Sequence, residues 1–455
     1  MTTTFPEGFL FGTSTASYQI EGAVNEGGRC PSIWDTYSHT PGKVLNSDTG
    51  DIACDSYHRW QEDIAMLADL GVDAYRFSVA MPRVMPVENG APNAEGLDYY
   101  ERFVDMLLAK GIAPIVTLYH WDLPQYLGDK NGWLNRETAY RLGEYAGIVA
   151  GRLGDRVHTY ITLNEPWCSS YLSYGGTEHA PGLGLGPGAF PAVHHLNLAH
   201  GLMCQAVRAE VGEAADLSVT LNLQMNRGDA DAVHRLDLIA NRAFLDPMLR
   251  GYYPDELFAI THGICDWNFV QDGDLEQIHQ PIDVLGINYY STNLLAMSDR
   301  PQFPQSTEAS TNPGASDVDF LPTEGPHTEM GWNIDPKGLT DLLVRVWDDY
   351  RLPLIVTENG IAVVDTLETD GNGDKAVHDV KRVDYYRRHL AAALDAIDQG
   401  VDLRGYCAWS LMDNFEWAWG YARRFGLVYT DYETLERIPK DSFLWYRDVI
   451  AKRGL

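Results

Sequence analysis

No window of this chain offers the roughly 18 uninterrupted apolar residues that a membrane span requires. The opening MTTTFPEGFLFGTSTAS has no basic stretch leading into an apolar one, so neither a bilayer anchor nor a cleaved leader is expected and the chain reads as cytoplasmic. Cysteine is scarce and scattered. Cys30, Cys54, Cys168, Cys204, Cys265 and Cys407 form no C-x-x-C pair, which leaves no basis for a disulfide framework or a zinc site. Reduced, mostly buried thiols are expected instead. Positive charge is also in short supply: Lys plus Arg number 34 against 64 Asp plus Glu, a formal net charge of -30. That balance opposes condensation on phosphate backbones or anionic lipid, so no nucleic acid and no membrane partner is expected.

What the chain has in quantity is apolar and aromatic surface. With 455 residues, 45% hydrophobic and 11% aromatic, it can bury a large core. A repeating unit organises it: an apolar stripe at helical spacing, a glycine, then a short apolar run. Trp60, Ile64, Leu67 and Ala68 lead to Gly71 and a strand over 72–79. Leu97, Tyr100, Val104, Leu107 and Leu108 lead to Gly111 and a strand over 112–119, and Tyr386, Leu390, Leu394 and Ile397 to Gly400 and a run over 405–410. Collected along the chain, such runs predict strands near 10–16, 73–79, 113–119, 157–163, 217–223, 283–289, 353–358 and 405–410. This is an α/β chain with the strand number of a (β/α)8 TIM barrel.

An open doubly wound sheet shares the alternation, but no G-x-G-x-x-G follows any of these strands. GLGLGPG at 182–188 follows HAP in a loop and reads as a mobile, turn-rich insertion. A barrel needs about 250 residues, so the remainder is expected in loops on its C-terminal face, with 178–191 and 298–331 roofing a pocket. No linker, charge block or duplication divides residues 1–455, which read as one domain.

Polar residues interrupt the apolar runs at their C-terminal ends: Arg76 and Ser78, His120 with Trp121, Asn164 with Glu165, Asn288 with Tyr290, Glu358 with Asn359, Trp409 with Ser410. In a parallel barrel these tips share one face and are expected to line one cavity. Two are carboxylates, in YITLNEP and IVTENG, and a charge beside buried strand residues must be paired or used. Cleavage of a glycosidic bond uses such a pair. One carboxyl protonates the leaving oxygen while the other attacks or screens the anomeric carbon as it becomes oxocarbenium-like. Indoles suit the C–H faces of a pyranose, and amides suit its hydroxyls.

The motifs FLFGTSTASYQIEGA, TLYHWDLP, TLNEPW, GINYYS, VTENG and SLMDNFEW with YARRFGLVYTDY together resemble the β-glucosidases of glycoside hydrolase family 1, from about Phe5 to the last helix. The resemblance implies a retaining, exo-acting enzyme without cofactor or metal. It would take terminal β-D-glucosyl units from cellobiose, short oligosaccharides or aryl glycosides, with β-galactosides and β-fucosides as companion substrates. Glu165 is then the general acid and base, Glu358 the nucleophile, Arg76 the cation that holds Glu358 ionised, Tyr290 its neighbour and Asn164 the amide on the 2-hydroxyl. Gln19, His120, Trp417 and Glu416 would meet the hydroxyls, with Trp121 and Asn288 also binding substrate. Trp409 would lie beneath the ring and Phe425 near the wall, while Trp332, Trp167 and Asn222 form the rim that meets the leaving group. A cis peptide between Trp409 and Ser410 is implied as well.

Physical arguments accompany these roles. A negative Glu358 disfavours ionisation of Glu165, which keeps its proton until Glu358 is esterified and then becomes a base. The resemblance also implies an O-glycosidase, because the family's thioglucosidases carry glutamine where this chain has Glu165. A carboxylate at 416 would repel a phosphate, which argues for unphosphorylated sugars.

Blander readings stand beside these. A lone strand-end glutamate is more often salt-bridged than catalytic, and only the two motifs together change that balance. His194, His195 and His200 have helical rather than ligand spacing. DGNGDK at 370–375 is similar to a calcium loop, but Lys375 stands where glycine is required and Lys381 where the terminal glutamate belongs, so a solvated turn is expected. A sugar-binding barrel without catalysis competes, against the presence of both carboxylates. A metal-dependent barrel hydrolase would need a strand-end H-x-H that the chain lacks. Small β-glycosides are the expected partners, and monomer and homo-oligomer both stay open.

Overall fold

The computed structural model describes residues 3–299, 309–369, 371 and 373–455. Eight parallel strands close into a barrel: β1 (Leu10–Ser14), β2 (Ala74–Ser78), β3 (Ala113–Tyr119), β4 (Thr159–Asn164), β5 (Asp216–Leu221), β6 (Val284–Asn288), β7 (Leu354–Asn359) and β8 (Leu403–Trp409). Strand β8 closes on β1, with Leu10 opposite Gly405 and Ser14 opposite Trp409. This is the (β/α)8 TIM barrel expected from the alternation of stripes and runs. Helices Ser56–Leu70, Ala94–Ala109 and Val380–Asp398 bury Ile64, Leu67, Val104, Leu107, Leu390 and Leu394 of their stripes, whereas Ala68 and Leu108 are exposed. Gly71 ends the first of them at φ +77 with its N–H on the Leu67 carbonyl, a left-handed conformation that costs glycine nothing.

Inside the barrel, Ala74, Ile115, Ile161, Val284 and Ile355 form an apolar floor. Further along the same strands, two residues on at Arg76, Thr117 and Thr357 and four on at Asn288, the lining turns polar. Arg76 Nε donates to Thr117 Oγ1 at 3.1 Å, and Thr357 Oγ1 donates to Asn288 Oδ1 at 2.8 Å. The barrel is thus a packed plug below and a polar mouth above.

The two strands that carry the carboxylates both break register near their tips. Strand β4 shifts against β5 between Ile161 and Asn164, and β7 shifts against β6 between Val356 and Glu358. Strict alternation from Ile355 and Thr357 would face Glu358 away from the barrel axis. The irregularity re-aims it toward the mouth, a use bulges commonly serve beside functional sites.

The insertions differ in part from expectation. The stretch 298–331 contains a strand, Val318–Leu321, which pairs antiparallel with Thr292–Met297 in a three-stranded sheet with Met225–Gly228; 300–308 lie outside the described residues. Such a short run has too few residues to show a period. The glycine-rich 182–188 segment contributes no lining residue to the cavity at the mouth. Gly182 N–H bonds Ser173 O at 2.9 Å and Leu185 N–H bonds Tyr174 O at 2.8 Å, which fastens the segment to its own loop. Leu367–Thr369 and Lys375–Val377 pair as a hairpin, so Lys375 of DGNGDK belongs to a strand, while Asp370 and Asn372 lie outside the described residues.

Behind the mouth sits a buried ion cluster. Asp413 of SLMDNFEW accepts from Lys440 Nζ at 2.7 Å and Arg424 Nη1 at 2.6 Å, and Lys440 also bonds Asp365 at 2.6 Å. Removing one partner of such a pair leaves an uncompensated charge in a dry environment. Asp413→Ala is therefore expected to lose about 3–5 kcal/mol of stability, read as a lower denaturant midpoint. An unchanged midpoint would show that the cluster does not anchor this loop. All six cysteines are free, and no helix among the described residues is long and apolar enough to cross a membrane.

Candidate active site

Most of the polar strand tips gather at one cavity of ≈ 1170 Å³, but Ser78, Asn359 and Ser410 are buried outside its lining. Glu165, Glu358, Tyr290, Asn288, His120 and Trp121 line it, together with Trp409, Glu416, Trp417 and Phe425. Trp332, Trp167 and Asn222 line it too. Gln19, Arg76 and Asn164 are buried; Arg76 bonds Glu358 and Asn164 bonds His120 at the mouth, while Gln19 bonds Asn414 and Phe415. Loop residues Glu178, His179, Asn312 and Phe320 complete the walls, so both insertions contribute to the roof.

One ladder of hydrogen bonds joins the two carboxylates. Arg76 Nη1 donates to Glu358 Oε1 at 2.5 Å and Arg76 Nη2 to Asn164 Oδ1 at 2.6 Å. Asn288 Nδ2 donates to Asn164 Oδ1 at 3.1 Å and to Glu165 Oε1 at 2.5 Å. Tyr290 Oη donates to Glu358 Oε2 at 2.7 Å. Both Glu358 oxygens thus accept, one of them from a guanidinium, which is the strong charge-assisted arrangement.

The ladder also fixes a tautomer. Asn164 Oδ1 is taken by two donors, so its Nδ2 must point at His120 Nε2, 3.0 Å away. Burial and the Arg76 charge hold His120 well below the usual imidazole range, so the ring is neutral and carries its proton on Nδ1. That N–H has no partner among the described residues, and neither do Gln19 Oε1 and Glu416 Oε2. Buried polar atoms left unpaired cost about 1–3 kcal/mol each. A donor at His120, an acceptor at Gln19 and an unpaired carboxyl oxygen at Glu416 match the hydroxyls of a sugar.

The walls are aromatic. His120 lies between Trp409 at 6.1 Å and Trp417 at 6.0 Å, nearly parallel to both, and Tyr290 packs 5.2 Å from Trp332 and 6.1 Å from Phe425. The Trp409–Ser410 peptide is cis. A Cβ on Gly360 would fall 1.9 Å from the Trp409 carbonyl oxygen, so the glycine of VTENG permits the chain just after β7 to pass close to the Trp409 backbone. Trp121, Glu165 and Trp417 all adopt positive φ, at 75, 47 and 49. Strained backbone of this type costs about 1–3 kcal/mol per residue and concentrates at functional sites.

Burial, more than any other influence, pushes Glu165 up to about 7; the negative charge of Glu358 adds to it, and hydrogen bonds from Cys168 and Asn288 oppose it. The sequence argument credited the charge of Glu358 alone, whereas desolvation comes first. Glu416 is pushed up to about 8, again by burial and then by Glu358 and Glu165. A protonated Glu416 does not repel phosphate by charge, so that part of the sequence argument is corrected. Lys43 is the one lysine or arginine among the described lining residues, and a scarcity of cations disfavours a phosphosugar instead.

A pH dependence follows from these shifts. If Glu165 must carry a proton to assist departure of a poor leaving group, kcat/KM on cellobiose falls as pH rises through about 7. A pH–rate profile with no basic limb between pH 6 and about 8.5 would contradict that role.

Sequence reading overlooked Cys168, His179, Gln224 and Asn293, all of which line the cavity. Cys168 had a signal, its place three residues after Glu165. His179, whose ring sits 4.9 Å from Trp121, precedes the glycine-rich run and carries no periodic mark. Gln224 and Asn293 belong to or adjoin the small sheet outside the barrel, where spacing gives no hint of a shared face.

Comparison with known proteins agrees with this geometry. Residues 1–455 match the family model described as Glycosyl hydrolase family 1. A bifunctional beta-D-glucosidase/beta-D-fucosidase of Bifidobacterium breve is 71% identical, over 99% of this chain and 99% of that relative. Thermostable beta-glucosidase B of Thermobispora bispora is 49% identical, over 99% of this chain and 91% of the relative. The structure of beta-glucosidase from Thermotoga maritima in complex with deoxynojirimycin has a TM-score of 0.91 and 42% identity, covering 100% of both chains. The full-length family match, the close relatives and a barrel mouth holding paired carboxylates lead to one conclusion: the chain belongs to glycosyl hydrolase family 1.

Proposed function

We propose that this protein is a retaining β-glucosidase in which Glu358 attacks the anomeric carbon of a terminal β-D-glucosyl unit while Glu165 protonates the departing oxygen. The observation that carries this reading is the unbroken ladder from Glu358 through Arg76, Asn164 and Asn288 to Glu165. It ties the two carboxyls to one cavity and gives them different surroundings. Glu358 accepts from a guanidinium and a phenol, whereas Glu165 is held near neutrality by burial. Paired carboxyls with divergent environments divide the work of acid and nucleophile.

In the first step the bond from the anomeric carbon to the leaving oxygen breaks, that oxygen keeps the electron pair and takes the Glu165 proton, and Glu358 forms an ester. Water then adds at the same carbon, giving its proton to Glu165 as the ester bond breaks. Two inversions restore the β configuration, in keeping with the retaining chemistry of the family. Asn164 is proposed to bind the 2-hydroxyl, and Gln19, His120, Glu416 and Trp417 the remaining hydroxyls over Trp409. Trp332, Trp167 and Asn222 would meet the leaving group. The Bifidobacterium breve relative, whose name carries both activities, supports β-D-fucosides as second substrates.

The whole of residues 1–455 is read as one catalytic unit, and six free cysteines support a reducing, cytoplasmic setting. The test is proton NMR of aryl β-glucoside hydrolysis run alongside a panel of β-fucoside, β-galactoside and cellobiose. β-Glucose should appear first and the α anomer only by later mutarotation. Initial release of α-glucose would overturn the double displacement.

A further inference from the structure

Cys168 lies three residues after Glu165, at the start of a π-helical segment over Cys168–Gly175. Pro166 opens the turn, and the Cys168 N–H bonds the Glu165 carbonyl at 2.9 Å. Side chains three apart on such a turn meet, and here the thiol folds back onto the carboxyl, with Sγ 3.0 Å from Glu165 Oε2. Asn222 Nδ2 donates to the sulfur at 3.5 Å from the other side. Burial and the two nearby carboxylates push the thiol well above its usual range, so the sulfur keeps its hydrogen.

The other oxygen of Glu165 is already committed. Asn288 Oδ1 accepts from Thr357 Oγ1, which leaves Nδ2 as the group facing Glu165 Oε1, and an amide N–H can only donate. An oxygen that accepts such a bond is a poor seat for the acid's proton. The proton that Glu165 delivers therefore belongs on Oε2, against the sulfur.

We propose that Cys168 is a positioning residue for the reaction: its thiol reserves Oε2 as the proton-carrying oxygen of Glu165 and sets how tightly that proton is held. The inference rests on Glu165 being the acid and base. When Glu165 is protonated, Oε2–H points to the substrate or to the sulfur. After the proton has passed to the leaving oxygen, S–H turns to donate to the bare carboxylate, until the incoming water returns a proton. Sulfur is a weak donor and a weak acceptor, so it favours neither state strongly. A hydroxyl in its place would favour the carboxylate, and a methyl would favour the neutral acid.

Other groups act on Glu165 as well. Arg76 of β2, Glu358 of β7, Tyr290 beyond β6 and Glu416 beyond β8 all interact with it electrostatically. None of these changes in a Cys168 variant, so the series isolates the thiol.

The experiment compares the pH dependence of kcat/KM on cellobiose for the wild type, Cys168→Ser and Cys168→Ala, with Glu165→Gln as the reference. The basic limb should move to lower pH in Cys168→Ser and to higher pH in Cys168→Ala, by about half to one unit each, the scale of one neutral hydrogen bond. Activity lost evenly across pH, with the limb unmoved in both variants, would overturn the proposal and leave the thiol a packing group. Shifts of the same sign in both would overturn it too. A basic limb that persists in Glu165→Gln would instead refute the acid assignment on which the inference stands.

Discussion

Replacing Glu358 by glycine is expected to lower kcat on an aryl β-glucoside by about 10⁴-fold or more, and azide or formate is expected to restore part of it. On the proposed assignment the substitution removes the group that forms the ester, and it leaves Arg76 and Tyr290 aimed at the space its carboxylate filled, where 2.5 and 2.7 Å bonds had held it. A small anion fits such a place in both charge and size. It would attack from the face opposite the leaving group, as proposed for Glu358, so one inversion should yield the α-glucosyl azide. Near-normal hydrolysis without added anion would show that another group attacks the sugar. Rescue giving the β-azide would place the lost carboxylate on the wrong face.

Glu165→Gln separates substrates by their leaving groups. Cellobiose departs as a sugar alkoxide and needs the proton, so kcat/KM on it should fall by about 10²–10⁴-fold, the usual worth of a positioned general acid. A dinitrophenyl glucoside departs unaided, so its first step should change far less. Its second step still lacks the base that takes the proton from water, so the glycosyl-enzyme should accumulate and show a burst followed by slow turnover. Equal losses on both substrates, without a burst, would remove Glu165 from the proton transfers.

Much of this was legible because the barrel imposes two simple rules on the chain. Stripes at helical spacing followed by glycine and a short apolar run marked each βα unit, and the polar residue that ended each run marked the mouth. Arg76, His120, Asn164 and Glu358 are therefore gathered by spacing alone. What spacing could not carry was the aim of a side chain. The register shift in β7 turns Glu358 inward against strict alternation, and nothing in IVTENG announces it.

Long-range partners were equally hidden. Asp413 reads as one more acidic residue in a motif until Lys440 and Arg424 are found against it. Cys168 reads as a scattered thiol until the turn after Glu165 brings it back. The strand Val318–Leu321 is too short to declare a period, and it forms only because Thr292–Met297 offers it an edge. The repulsion argument for Glu416 failed for a related reason, since charge state depends on burial that the sequence does not state.

The central claim is that Glu358, and no other carboxylate at this mouth, becomes bonded to the sugar. A 2-deoxy-2-fluoro-glucosyl fluoride slows both steps by destabilising the oxocarbenium-like state, and its good leaving group still lets the ester form and accumulate. Digestion and tandem mass spectrometry of the inactivated protein should find one fluoroglucosyl group per chain, on the peptide containing Glu358. A label on Glu165 or Glu416, or inactivation with no covalent adduct, would contradict the account.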